Sequence, residues 1–219
     1  MKLAKNLERL GTETAFTVLA QAKKLEATGK SIIYLGLGQP DFKTPNHIVE
    51  AAKKALDDGH HGYVLSNGIL ECRQAVTRKI KKLYNKDVDP ERVLIMPGGK
   101  PTMYYAISCF GEPGAEIIHP TPAFPIYESM INYTGSKAVP YDLTEDKDLK
   151  FNPEKILSLI TEKTRLLILI NPNNPTGSFV EKSTIDILAE GLKKHPHVVI
   201  LSDEIYSRQI FDEKEMPTF

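Results

Sequence analysis

Three short stretches of this chain hold residue types that can do chemistry. The first is Pro97-Gly98-Gly99-Lys100-Pro101-Thr102, which leads into TMYYAISCF, a segment with a helical pattern. Two glycines before a helix expose backbone N–H groups at its positive end, which suits a phosphate or another oxyanion. A plain strand-to-helix turn would use the same residues, and on this stretch alone both readings stand. The spacing is not that of a Walker loop. In LGLGQPDF, Asp41 stands where a dinucleotide fingerprint needs its third glycine. The second stretch is Asn171-Pro172-Asn173-Asn174-Pro175-Thr176-Gly177. Its two Asn-Pro pairs impose an extended path and present amide side chains, more than a purely structural turn needs. The third is Ser202-Asp203-Glu204-Ile205-Tyr206, a carboxylate leaving an apolar run with a tyrosine three residues on. Such a carboxylate needs a cationic or hydrogen-bonding partner to offset its desolvation. A lysine or arginine would serve, and so would a protonated ring nitrogen of a cofactor.

Each stretch follows a β-prone run. The runs are RVLIM (92–96), AEIIH (115–119), KAVPY (137–141), RLLILI (165–170) and HVVILS (197–202), spaced widely enough for crossover helices such as EKSTIDILAEGLKKH. Apolar runs alternating with helices predict an α/β fold with a mostly parallel sheet and helices on both faces. In such sheets ligands bind beyond the carboxyl ends of the strands, where the three stretches fall. Upstream, 13–28 predicts a helix with Phe16, Leu19 and Ala20 on one face, ended by Gly29. A second helix is expected from Asn46, as its N-cap, to about Asp58, and an amphipathic stretch follows in ILECRQAVTRKIKKLY.

Composition narrows the function classes. The 219 residues carry 28 Lys+Arg and 28 Asp+Glu, a net charge of zero, and this argues against a general nucleic-acid binder. Hydrophobic residues at 41% and charged residues at 26% describe an ordinary globular protein. No run approaches a membrane span, and MKLAKNLERLGTETAF has no apolar core that would serve as a signal peptide. Cys72 and Cys109 form no CxxC pair; both fall in helical patterns and read as small core residues in a reducing cytoplasm. His47, His60 and His61 lack a third ligand at helical spacing and read as solvated, so no metal site is expected. The DEKE run at 212–215 reads as a solvated turn.

Taken together, LGLGQPDFKTP, the Tyr63–Gly68 connection, PGGK, TPAFPIY, NPNNPTG and SDEIY closely resemble the class I and II pyridoxal-phosphate-dependent aminotransferases of the aspartate aminotransferase fold. The order and spacing of these motifs make the resemblance specific, and it extends over essentially the whole chain. It implies a three-layer α/β/α fold (fold type I). Residues 1–44 would form an N-terminal arm and small-domain segment, and 45–219 part of the large cofactor-binding domain. The cofactor implied is pyridoxal 5'-phosphate. Gly98, Gly99 and Lys100 would hold its phosphate, and Phe124 would stack on its ring, unless Phe124 is simply a core aromatic. Asp203 would pair with the pyridine nitrogen, and Asn174 and Tyr206 would hydrogen-bond the phenolic oxygen. Tyr63 would reach the phosphate of a neighbouring subunit in a homodimer. Gly38 would face the substrate carboxylate, with Asn174 beside it, and Glu204 would face away from the ring. The substrates implied are an amino acid and a 2-oxo acid.

The resemblance also says what to expect outside these residues. The family's Schiff-base lysine, in a Ser-Lys motif, and its arginine for the substrate carboxylate would lie past Phe219, and Lys214 does not replace the lysine. The chain thus reads as an N-terminal portion with no catalytic lysine of its own. In the implied sheet, 137–141 lies at one edge, followed by 115–119, 165–170 and 197–202. The 92–96 run would pair with a strand from the missing portion, and without it would leave an uncovered edge prone to aggregation. Two other functions use the same motifs: a lyase or synthase on this fold, and a non-catalytic chain that binds the cofactor or a partner subunit.

Overall fold

The computed structural model describes residues 2–11, 14–144, 148–211 and 216–218. They fall into two compact units, Glu13–Pro97 and a second one made of Met1–Thr12 with Gly98–Phe219. The DEKE run and Lys214 lie outside the described residues.

Among the described residues the first unit holds three α-helices: α1 (Thr14–Glu26), α2 (Asn46–Asp57) and α3 (Leu70–Tyr84). After α1, Gly29 adopts φ +87°, as its predicted role as terminator requires. The face expected on α1 is not the covered one: Phe16 and Ala20 are exposed, whereas Ala15, Leu19 and Ala22 are partly covered. They line a groove of about 480 Å³ with Ile32–Leu37. Asn46 is the first helical residue of α2 rather than its cap. The carbonyl of Pro45 accepts from Ile48 N (2.9 Å), so the hydrogen-bond ladder starts one residue earlier. In α3 the side chain turned inward is Arg73, which donates to Gly68 O, Pro90 O and Glu91 Oε1 at 3.1, 3.0 and 2.6 Å. Cys72, its neighbour, is exposed, which corrects the expected core placement. The 92–96 run forms no ladder either. A strand requires a partner for its N–H and C=O groups, and no described segment pairs with this one; Ile95 N bonds instead to Asn67 O at 3.1 Å.

The second unit contains the sheet. Helix α4 (Gly99–Phe110) leads to strand β1 (Glu116–Thr121), helix α5 (Ile126–Thr134) and strand β2 (Lys137–Asp142). Helix α6 (Pro153–Ser158), strand β3 (Thr164–Ile170), helix α7 (Lys182–Leu192) and strand β4 (Val199–Asp203) follow. All pairings are parallel, in the order β2-β1-β3-β4, the order the resemblance implies. The central strand β3 is buried at every position but Arg165, because it has a neighbour on each side and helices on each face. Its residues alternate. Leu166, Ile168 and Ile170 pack with Ile107 of α4 and with Tyr127, Met130 and Ile131 of α5. Leu167 and Leu169 pack with Ile156 of α6 and with Ile185, Leu188 and Leu192 of α7. Two apolar layers, one on each face, thus make the α/β/α sandwich, each buried Leu or Ile contributing about 1.5–3 kcal/mol of transfer free energy. Pro140 sits in β2, an edge strand, where its missing N–H leaves no gap in the sheet interior. Cys109, on α4, is exposed; the helix turns Ile107 inward instead. Among the described residues no helix is long and apolar enough to cross a membrane.

Candidate functional site

Because β1, β3 and β4 are parallel, Thr121, Ile170 and Asp203 finish at one edge of the sheet. Asn171 N donates to Asp203 O at 3.1 Å, tying two of these ends together. The Asp203 side chain is held at both oxygens. Ile205 N donates to Oδ1 at 3.0 Å, and the Tyr127 hydroxyl donates to Oδ2. Burial, followed by the charge of Asp203 and their hydrogen bond, pushes the Tyr127 hydroxyl far above the ordinary tyrosine value, so it stays a donor. Beside this pair, Asn174 Nδ2 donates to the Tyr206 hydroxyl at 3.0 Å. Phe124 sits one turn before Tyr127, whose N–H donates to Phe124 O at 3.2 Å. Lys100 Nζ stands 5.7 Å from the Phe124 ring centroid, a long cation–π contact. Gly98 immediately precedes α4 with φ +107°, a conformation glycine adopts without cost. It offers no capping side chain, so none of its atoms competes for the N–H groups of the first turn.

Gly98, Gly99, Lys100, Phe124, Asn174, Asp203 and Tyr206 therefore occupy one unit, with Phe124, Tyr127 and Asp203 joined by hydrogen bonds. Gly38 and Tyr63 belong to the other unit. Tyr63 is fully exposed there, and a Cβ built on Gly38 would meet no atom within 4 Å. No described residue therefore requires glycine at position 38. Glu204 accepts from Ser202 Oγ (3.0 Å) and Thr218 Oγ1 (2.7 Å). His47, His60 and His61 are exposed, and no group of three metal-binding side chains occurs among the described residues.

The NPNNPTG stretch divides its asparagines by role. Asn171 turns back and clamps Val180, donating to its O (3.1 Å) and accepting from its N (2.9 Å), so it is a loop staple. Asn173 is buried and donates to Pro122 O (3.3 Å) and Thr176 Oγ1 (2.9 Å), while its Oδ1 has no donor among the described residues. Two participants escaped the sequence reading, Tyr127 and Asn173. Asn173 had a signal, being an amide between two Asn-Pro pairs. Tyr127 had only its place inside TPAFPIY.

The chemistry of this donor set matches a planar ligand with an anion at one end and a ring cation at the other. Uncapped amides at a helix start suit the anion, an aromatic face suits the ring, and an oriented carboxylate suits the cation. The Asn174–Tyr206 pair adds polar groups next to Asp203. These residues fit a phosphorylated pyridine cofactor.

The family model for aminotransferase class I and II matches residues 30–218. The chain belongs to that family. This class I/II aminotransferase chain is 34% identical over 215 residues to the aspartate aminotransferase of Bacillus subtilis, covering 98% of this chain and 54% of that protein. It is 40% identical over 182 residues to a probable aspartate aminotransferase of Methanocaldococcus jannaschii, with 83% of this chain and 48% of that one covered. The crystal structure of the Rhizobium meliloti aspartate aminotransferase superimposes with a TM-score of 0.94 at 28% identity, over 100% of this chain and 55% of that one. An alanine aminotransferase from Pyrococcus furiosus gives a TM-score of 0.92 at 29% identity, over 99% of this chain and 55% of that one. The chain thus spans about half the length of the curated relatives it matches, and its α/β architecture is that of the fold type I aminotransferases.

Proposed function

We propose that this chain is the cofactor-binding part of a pyridoxal-phosphate-dependent aminotransferase that moves an amino group from an amino acid to a 2-oxo acid. The observation that carries the reading is the Asp203 carboxylate, held at both oxygens beside the Asn174–Tyr206 pair at the sheet's carboxyl edge. Gly98, Gly99 and Lys100 would hold the cofactor phosphate, and Phe124 would cover its ring. Asp203 would keep the pyridine nitrogen protonated, and Asn174 and Tyr206 would bind the phenolic oxygen. When bound, the cofactor supplies an electron sink that makes the amino acid's α-proton labile. The chain's own part is to orient the ring and hold charge at its two ends. Gly38 would leave room for the substrate carboxylate.

Residues 1–44 belong, in this reading, to an arm and small-domain segment, and 45–219 to the large domain. The enzyme would work as a cytoplasmic homodimer in which the exposed Tyr63 reaches the partner's phosphate site; two free, exposed cysteines suit a reducing compartment. The relatives' names include both aspartate and alanine aminotransferases, so the proposal stays at the level of the amino-acid class.

The test is an assay of 2-oxo acid release from L-amino acids by the complete enzyme, with and without a 2-oxo acid acceptor. Release that depends on the acceptor, with stoichiometric amination of it, is expected. Acceptor-independent release would assign a lyase instead, and no release with any donor would leave the non-catalytic reading.

A further inference from the structure

The cofactor roles proposed above leave Tyr127 unused, although its hydroxyl reaches the carboxylate on which that reading turns. The residue is 1% exposed and packed with Ile107, Met130, Ile131 and Ile168, so its ring has little freedom. It lies in the first turn of α5, and its N–H is bonded to Phe124 O. One turn therefore carries both the residue proposed to cover the cofactor ring and the residue that grips Asp203. A half-buried aspartate at a strand end has several rotamers available, and a backbone amide on Oδ1 leaves rotation of the other oxygen open. The Tyr127 hydroxyl on Oδ2 closes that freedom.

We propose that Tyr127 is a positioning residue, which fixes the Asp203 carboxylate in the orientation that meets a protonated pyridine nitrogen. This rests on the reading of Asp203 given above. The burial of Tyr127 keeps the hydroxyl a donor throughout the neutral range, so the grip does not depend on a titration near neutrality.

The test compares equilibrium binding of pyridoxamine 5'-phosphate and its 1-deaza analogue, which has CH in place of the ring nitrogen. The complete enzyme, stripped of cofactor, and its Tyr127→Phe variant are titrated with both. The amine form is used because it has no aldehyde to react with surface lysines. Tyr127→Phe keeps the ring in the core and removes only the hydroxyl. Loss of one hydrogen bond to a charged group predicts about a tenfold weaker binding of the pyridine ligand. The deaza analogue, with no nitrogen for Asp203 to meet, should bind wild type and variant alike, and this also reports that the variant is folded. Equal affinity of the two proteins for the pyridine ligand would overturn the proposal. Equal weakening of both ligands would also overturn it, since a purely structural tyrosine would act on the whole site. If wild type itself bound the two ligands equally, the reading of Asp203 would fall instead, a result distinct from either.

Discussion

Glu116 shows how a single side chain at the opposite, amino end of the sheet contributes to stability. Its carboxylate accepts from Thr161 Oγ1 (2.6 Å) and Lys137 Nζ (2.9 Å), and these two bonds hold its pKa below the ordinary 4.5. A carboxylate depressed by folding stabilises the fold above its ordinary value, and that contribution is lost as pH falls through the folded value. Urea midpoints should therefore drop on acidification from about pH 5 to about pH 3 in wild type, and drop less in Glu116→Gln. Parallel drops would show that the two bonds contribute nothing. At the carboxyl end, Asn174, Asp203 and Tyr206 were legible in the sequence because each stands just past an apolar run, where a polar side chain has to find a partner. Tyr127 was not, since its partner lies 76 residues away and local pattern holds no record of that contact. Asn171 looked like its neighbours in composition, and only the clamp on Val180 separates its structural role from theirs.

Elements are held to one another by equally specific contacts. Helices α6 and α7 approach so closely that a Cβ built on Gly191 would stand 2.2 Å from Leu157 Cδ1. Gly191→Ala should therefore cost about 1–3 kcal/mol, seen as a lower urea midpoint at unchanged m-value. The second substitution Leu157→Ala should recover part of that loss, and a double variant no better than additive would contradict the contact. Helix α5, which carries Tyr127, is capped from a distance: Arg9 donates through Nε to Asn132 O and through Nη2 to Tyr133 O, both at 2.7 Å. Arg9→Ala should cost about 1 kcal/mol, because a guanidinium at a helix carboxyl end satisfies carbonyls and complements the helix dipole. A thermal midpoint equal to wild type would dismiss that cap. Four of the five β-prone runs became strands, in the implied order, because each has a neighbour among the described residues. The run at 92–96 shares their composition and lacks only a partner, which composition does not encode. Helices α2, α3 and α7 were readable from period, whereas α5 was hidden by its short length and mixed faces.

At the scale of the molecule, the two units differ in how they are stabilised. The sheet unit owns nearly the whole buried apolar core, whereas Val93 is the buried apolar side chain among the described residues of 13–97. In that unit Leu35 and Phe42 are 90% and 76% exposed, and Ile33 and Leu94 are also exposed. A 219-residue chain produced alone should therefore self-associate, and sedimentation velocity should show broad, concentration-dependent species. A monodisperse monomer with a cooperative melt would contradict that expectation. Composition read the molecule as an ordinary globular protein and could not show this division, because burial depends on which apolar residues meet and not on how many there are.

The proposed function requires the carboxyl edge of this sheet to bind pyridoxal phosphate through Asp203. Equilibrium dialysis of the cofactor-stripped complete enzyme and its Asp203→Ala variant against pyridoxamine 5'-phosphate puts this to the test. One saturable site per wild-type subunit is expected, with affinity weaker by at least about tenfold in the variant. Absence of saturable binding to wild type, or equal affinity of the two proteins, would contradict it.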